Sequence, residues 1–182
     1  MEKADAYIFL AEGFEEVEAL TTVDILRRAG VQVPIVSLTG ELLVKGSHAI
    51  TVQADILFDA AAQEDVQMLI LPGGAGHVHY FEHESLLSLI RQYHSAGKYL
   101  AAICAAPSVL GHLGLLAGRK ATCYPSFEDR LTGASICADQ VVQDGHIITS
   151  RGPGTSPWFA LHLAALLKGP EVMANVQNGF IL

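Results

Sequence analysis

Basic residues are scarce in this sequence. Eleven Lys and Arg stand against nineteen Asp and Glu, for a formal net charge of −8. Non-specific nucleic-acid binding and docking on anionic membranes both need a basic face, so this balance argues against both. Cysteine is scarcer still. Cys104, Cys123 and Cys137 are the only three, and no two have CxxC spacing. Three thiols cannot build a disulfide scaffold. They read as reduced thiols of an intracellular protein, although a bridge between two of them would leave the third free. No apolar run reaches the roughly 18 residues that span a bilayer. The start, MEKADAYIFLAEGFEE, lacks the basic head and longer apolar stretch of a signal peptide. Charged residues make up 16% of the chain and hydrophobic residues 51%, which is too apolar for disorder. The expectation is one globular cytoplasmic domain over residues 1–182, because this length suits a single sizeable core.

What is present alternates. Ala6–Ala11 reads as a buried strand, and Glu15–Ala29 as a helix stopped by Gly30. Val31–Ser37 is a strand that Pro34 places at an edge or an irregularity. Residues 38–58 read as short β pieces with turns at Gly40 and Gly46. Val66–Leu71 is a strongly apolar strand ending in Pro72-Gly73-Gly74. A helix over Ser85–Ala96, a strand over Lys98–Ile103 and a helix over Pro107–Leu116 come next. Short strands follow over Lys120–Cys123, Ser135–Asp144 and His146–Ser150, then helices over Pro157–Lys168 and onward from Glu171. Strands alternating with helices predict an α/β sandwich with a mostly parallel central sheet. Sites in such sheets gather at the carboxyl ends of strands.

Cys104 stands at one of those ends, where a strand turns into a helix. Backbone N–H groups at the following turn favour a thiolate and lower a thiol's pKa. Ala101, Ala102, Ala105 and Ala106 leave room for a tight elbow, and Pro107 suits a first helical turn. Locally two readings stay open, an activated nucleophile and an inert buried thiol. Glu18 borders the apolar face of the first helix, so its carboxyl is expected to be poorly solvated and raised in pKa. It can then stay protonated and donate a hydrogen bond to a thiolate or sulfinate, or act as a general acid and base. Glu15 and Glu16 read instead as ordinary first-turn acids. Gly73 and Gly74 can present bare N–H groups to an oxyanion. Arg151-Gly-Pro-Gly-Thr155 is a glycine-rich loop without a Walker lysine, so no nucleotide site is predicted. His77, His79 and His83 match no zinc spacing and read as a solvated loop and helix start. Cys123 and Cys137 read as core fillers.

LAEGFEEVEALTTVDILRRAG, LILPGG, AAICAAP and TSRGPGT, in this order, resemble the ThiJ/PfpI superfamily. The similarity runs from Ala6 to about Val176 and is greatest to the branch of the Parkinson-disease deglycase protein and its bacterial relatives. The resemblance implies a class I glutamine amidotransferase-like domain, a flavodoxin-like three-layer sandwich that commonly forms a homodimer. It implies a reactive cysteine at Cys104 hydrogen-bonded by the carboxyl of Glu18, with backbone groups of Gly73, Gly74 and Ala105 beside it. Arg28 and Arg151 match arginines near the dimer interface and the mouth of the site, and Pro153 matches a proline approaching from that side. No cofactor and no metal are implied. Two positions depart from the family pattern. Tyr124 stands where glyoxalase members carry a histidine, and a phenol is a poor base at neutral pH. Ala105 stands where the protease-like branch has a histidine, which disfavours a Cys-His protease. The implied activity is cysteine-dependent stress protection against reactive dicarbonyls such as methylglyoxal, or against glycated groups newly formed from them. The alternative is a peroxide sensor or chaperone in which Cys104 becomes a sulfinate.

Overall fold

The computed structural model describes residues 3–61 and 65–182. Ala6–Leu10 (β1) is wholly buried, and its alternating side chains feed two cores. Ile8 and Leu10 point to one face of the sheet, Tyr7 and Phe9 to the other. A strand buried on both faces needs a continuous apolar run rather than alternation, which is what β1 carries.

Helix Glu16–Arg28 (α1) is followed by Ile35–Ser37 (β2), Leu43–Lys45 (β3), Thr51–Gln53 (β4), Ile56–Leu57 (β5) and the single turn Phe58–Ala61 (α2). Met68–Leu71 (β6), Glu84–Ser95 (α3), Tyr99–Ile103 (β7) and Pro107–His112 (α4) form the middle of the chain. Lys120–Ala121 (β8), Ser135–Ile136 (β9), Val141–Asp144 (β10), Ile147–Ser150 (β11), Ser156–Lys168 (α5) and Pro170–Phe180 (α6) complete it. The main sheet has the order β10-β11-β7-β6-β1-β2-β5. Every neighbouring pair in it is parallel except β10 with β11. Residues of α1, α5 and α6 share one core with the sheet, and residues of α2, α3 and α4 share the other. This is the expected mixed α/β sandwich.

Several expected boundaries shift for physical reasons. Pro34 precedes its strand instead of sitting in it, and β2 lies between β1 and β5 rather than at the edge. The helix from Pro107 stops at His112, because the chain turns through Gly114 at φ +73°. The segment 135–144 is two strands: β9 pairs in parallel with β8 in a separate two-stranded sheet, and β10 joins the main one. Residues 75–82 form a 3-10 helix rather than a solvated loop, with Gly76, His77 and Tyr80 buried. No helix among the described residues is long and apolar enough to cross a membrane.

Candidate functional site

The carboxyl ends of β1, β6 and β7 converge on one point. Three loops leave there, and they are stitched to one another through backbone groups. The Glu15 N–H donates to Gly73 C=O at 3.0 Å, and the Gly76 N–H donates to Gly13 C=O at 2.7 Å. Gly74 adopts φ +89°, and a Cβ there would collide with the backbone of residues 13–15. Glycine is required at this position both for its dihedral and for the close approach. From below, the buried Tyr80 hydroxyl lies 3.0 Å from Phe9 C=O and 2.9 Å from Pro72 C=O. It ties the Pro72-Gly73-Gly74 turn to the end of β1.

Cys104 follows β7 in the left-handed region, at φ +66°. A side-chain-bearing residue held there costs roughly 1–3 kcal/mol and persists only where its surroundings over-determine it. They do so here. The Cys104 N–H donates to Ser150 C=O, and its C=O accepts from the Tyr124 N–H, both at 2.9 Å. Small neighbours permit the elbow, with Ala102, Ala105 and Ala106 all buried. The thiol is nearly enclosed, and the N–H groups of Gly74 and Ala105 act on it.

Glu18 is fully buried on the first turns of α1. Its Oε2 accepts the Gly73 N–H at 2.7 Å. Its Oε1 is buried without an aligned hydrogen-bond partner, while the carboxyl lies close enough to the Cys104 thiol for the two to interact. Burial pushes the Glu18 carboxyl up to about 7. The thiol and the Gly73 amide oppose that rise, and the Glu15 charge adds to it. The expectation of a raised carboxyl is met.

The expectation of a lowered thiol is not met. Burial, then the Glu18 charge and its hydrogen bond, push Cys104 up to about 12, against the pull of the Gly74 and Ala105 amides. The helix that was expected to favour a thiolate is too short and the pocket too dry to outweigh these effects. Two negative charges cannot coexist in so small and dry a space. A thiolate therefore forms only with a proton on Glu18, and the two groups act as one acid.

The remaining expected residues divide. Gly73 serves the site through Glu18 rather than as a free oxyanion donor, because its N–H is taken by the carboxyl. The Gly74 and Ala105 N–H groups are directed instead at the Cys104 thiol. Tyr124 touches Cys104 only through its backbone. The residue is 45% exposed, and its ring packs edge-on to Phe127. Tyr124, Arg151 and Pro153 border one open recess beside the elbow, and the Arg151 guanidinium donates to Ala138 C=O at 3.2 Å. Arg28 lies at the far end of α1, paired with Asp24 at 2.9 Å and stacked on Phe180. It does not reach the site within this chain.

Two residues exceed the sequence reading. Glu16 is buried rather than a solvated first-turn acid, and it clamps the 46–50 loop. It accepts from the His48 N–H at 2.7 Å and from the His48 ring at 2.9 Å. Burial raises its pKa, but these bonds, with its own and the Ile50 amide, lower it further than burial lifts it. His77 is buried, its Nδ1 is fixed 2.9 Å from Gly74 C=O, and its Nε2 has no partner among the described residues. The other histidines of its segment have separate tasks. His79 pairs with Glu82, and His83 caps the Leu86 N–H of α3. They do not converge as metal ligands. Glu15, Glu16 and His48 do approach one another closely, but Glu16 is already committed to the loop it clamps.

The DJ-1/PfpI family description matches residues 4–166. The chain is 39% identical over 180 residues to the protein dj-1beta of Drosophila melanogaster, covering 97% of this chain and 96% of the relative. The crystal structure of Drosophila melanogaster DJ-1beta superposes with a TM-score of 0.93 at 38% identity, covering 100% of this chain and 99% of that one. A Caenorhabditis elegans protein named glutathione-independent glyoxalase DJR-1.2 is 33% identical over 172 residues, 93% of this chain and 91% of its own. With the family description matching residues 4–166 and these relatives alike over nearly their whole lengths, the chain belongs to the DJ-1/PfpI family.

Proposed function

We propose that this protein is a cysteine-dependent hydrolase of reactive dicarbonyls, or of their early adducts on thiols and amines, working without a cofactor in a stress-protective role. The observation that carries this reading is the pairing of Cys104 with a fully buried Glu18 whose carboxyl titrates near neutrality. An acid poised near the working pH can both give and take a proton. The family membership and the glyoxalase named among the relatives support it.

The chemistry balances with the residues present. Glu18 carboxylate takes the Cys104 proton as the sulfur attacks the aldehyde carbon of methylglyoxal. The alkoxide that forms lies beside the N–H groups of Gly74 and Ala105 and then receives the proton from Glu18, giving a hemithioacetal. Glu18 next removes the proton from the thiol-bearing carbon and returns it to the neighbouring carbon, while the hydroxyl proton passes from the first oxygen to the former ketone oxygen through the enediol, leaving a thioester of lactate. Water cleaves the thioester to lactate and frees the thiol. The same enclosure suits an amine-borne adduct, because the attacking sulfur and the proton carrier are unchanged.

The test is lactate formation from methylglyoxal in the absence of glutathione. Turnover by the native chain, abolished in Cys104→Ser and reduced at least a hundredfold in Glu18→Gln, is the expected result. Turnover that survives Cys104→Ser overturns the reading. A second reading, peroxide sensing at the same cysteine, draws support from the exposed Tyr124 ring, which supplies no base beside the thiol. A Cys104 sulfinate would accept from Gly74, Ala105 and protonated Glu18. Gain of two oxygens on Cys104 under mild peroxide, without lactate turnover, selects it.

A further inference from the structure

His77 grips the turn that faces the Cys104 sulfur. The Gly74 N–H acts on that thiol. A glycine backbone turns freely, so an N–H aimed at one atom has to be held there from outside. Two peptide units meet at Gly74. On the first, which carries the Gly74 N–H, the Gly73 C=O accepts from the Glu15 N–H at 3.0 Å. On the second, the Ala75 N–H donates to Ser47 Oγ at 3.3 Å. The Gly74 C=O accepts from the His77 N–H at 3.2 Å and lies 2.9 Å from Nδ1 of the His77 ring.

The ring's bond supplies nothing that the 3-10 helix beginning at Ala75 lacks. A helix N-terminus is short of acceptors for its first N–H groups, not of donors for its carbonyls. The Gly74 C=O already accepts from the His77 N–H, so a second donor aimed at it serves the position of the peptide itself. A carbonyl only accepts, which fixes the ring hydrogen on Nδ1 and leaves Nε2 as a bare lone pair. Nε2 is buried and has no partner among the described residues. An unmet buried acceptor costs stability, and the fold bears that cost here. Packing sets the ring's place, edge-on to Phe127 at 5.3 Å and to Phe81 at 6.3 Å. Burial lowers its pKa against the pull of the Gly74 bond, and the Arg130 charge lowers it further. The ring is a neutral donor with one fixed target.

We propose that His77 is a positioning residue for Cys104: through the Gly74 peptide, its ring keeps the Gly74 N–H on the sulfur and so sets how readily the thiol becomes a thiolate. The proposal rests on the reading of Cys104 as the working nucleophile. His77 acts through the peptide and does not take the Cys104 proton, which is the task of Glu18. Without the ring, the Gly74 carbonyl keeps only the longer bond from the His77 N–H. The turn then gains freedom about Gly74, and its N–H spends less time on the sulfur. The thiolate and the alkoxide of the proposed reaction lose the same donor. The loss falls on the chemical step rather than on substrate binding, so kcat drops while KM stays nearly constant.

The test compares two variants of the full chain. His77→Leu keeps apolar bulk but has no donor. His77→Asn has no ring, but its side-chain amide places an N–H where Nδ1 now stands. The readout is the rate of Cys104 alkylation by iodoacetamide at about pH 8, where the rate follows the thiolate fraction. Peptide mass assigns the label to Cys104 and sets aside Cys123 and Cys137. His77→Leu should react about tenfold more slowly than the native chain, on the scale of one hydrogen bond to a charged group. His77→Asn should recover most of the rate, although urea denaturation finds it no more stable than His77→Leu. A merely structural role would rank reactivity with stability instead. A native rate in His77→Leu, or equal slowing in both variants, would overturn the proposal. Alkylation requires no turnover, so a native chain that makes no lactate refutes the dicarbonyl reading while the alkylation rates still decide the role of His77. Long-range proton–nitrogen NMR of the native chain avoids any folding defect. It should find the His77 hydrogen on Nδ1, and a hydrogen on Nε2 alone would overturn the proposal as well.

Discussion

Replacing Glu18 with glutamine should make the fold more stable at alkaline pH while impairing the chemistry. The carboxyl is fully buried, and its pKa rises from the ordinary 4.5 to about 7. A raised folded value means that the native state prefers the protonated acid. The group therefore costs nothing below pH 4.5, costs progressively more as pH climbs through the folded value, and costs its full amount above it. At about 1.4 kcal/mol for each tenfold change in proton affinity, the full cost is about 3 kcal/mol. Glutamine is uncharged at every pH, and its amide oxygen can still accept the Gly73 N–H that Oε2 now holds. Urea denaturation at about pH 4.5 should find the two proteins alike within roughly 1 kcal/mol, the usual scatter of a polar swap. At about pH 8.5 the variant should be the more stable by about 3 kcal/mol, with most of the divergence developing between the ordinary and folded values. Cys104 stays a thiol over this range, so it does not blur the comparison. A difference independent of pH, or a variant less stable at pH 8.5, would refute the claim that Glu18 is strained by its burial. The outcome is a stability–activity trade-off located in one carboxyl.

Three other perturbations follow from the same geometry. The Glu18 charge helps hold the Cys104 thiol up, so in Glu18→Gln the pH midpoint of Cys104 alkylation by iodoacetamide should move down. An unchanged midpoint would separate the two groups electrically. A Cβ at Gly73 would lie 2.7 Å from the Cys104 Cβ and 2.9 Å from Glu18 Oε2, so Gly73→Ala should cost about 1–3 kcal/mol of stability, as overpacking does, and most of the turnover. Glu16→Ala should cost about 1–3 kcal/mol by leaving the His48 amide without its acceptor. Because the folded pKa of Glu16 is depressed, that loss should be present above pH 4.5 and fade as the acid limb is titrated, which pH-resolved denaturation will show.

The architecture was legible because its periodicities are strong. A strand such as β1 that is buried on both faces favours a continuous apolar run, and three such runs, β1, β6 and β7, punctuated by glycine and proline, allow few alternatives. Glu18 was legible for a related reason, as a carboxyl bordering an apolar helical face. The 3-10 helix over residues 75–82 was not, because its histidines and glycines carry no 3.6-residue pattern and its burial comes from the Tyr80 anchor. Glu16 escaped because its partners, His48 and Ile50, lie more than thirty residues away. The direction of the Cys104 shift was misjudged for the same kind of reason. The local elbow argues for a thiolate, while the enclosure and the nearby carboxylate that oppose it come from distant segments.

The central claim is that Glu18 holds a proton beside Cys104 near neutral pH. Infrared difference spectroscopy reads it directly, through the carbonyl stretch of a protonated buried carboxyl. That band should be present at about pH 5.5, disappear with a midpoint near 7, and be missing from Glu18→Gln. No such band at pH 5.5, or the same band persisting in Glu18→Gln, would contradict the claim.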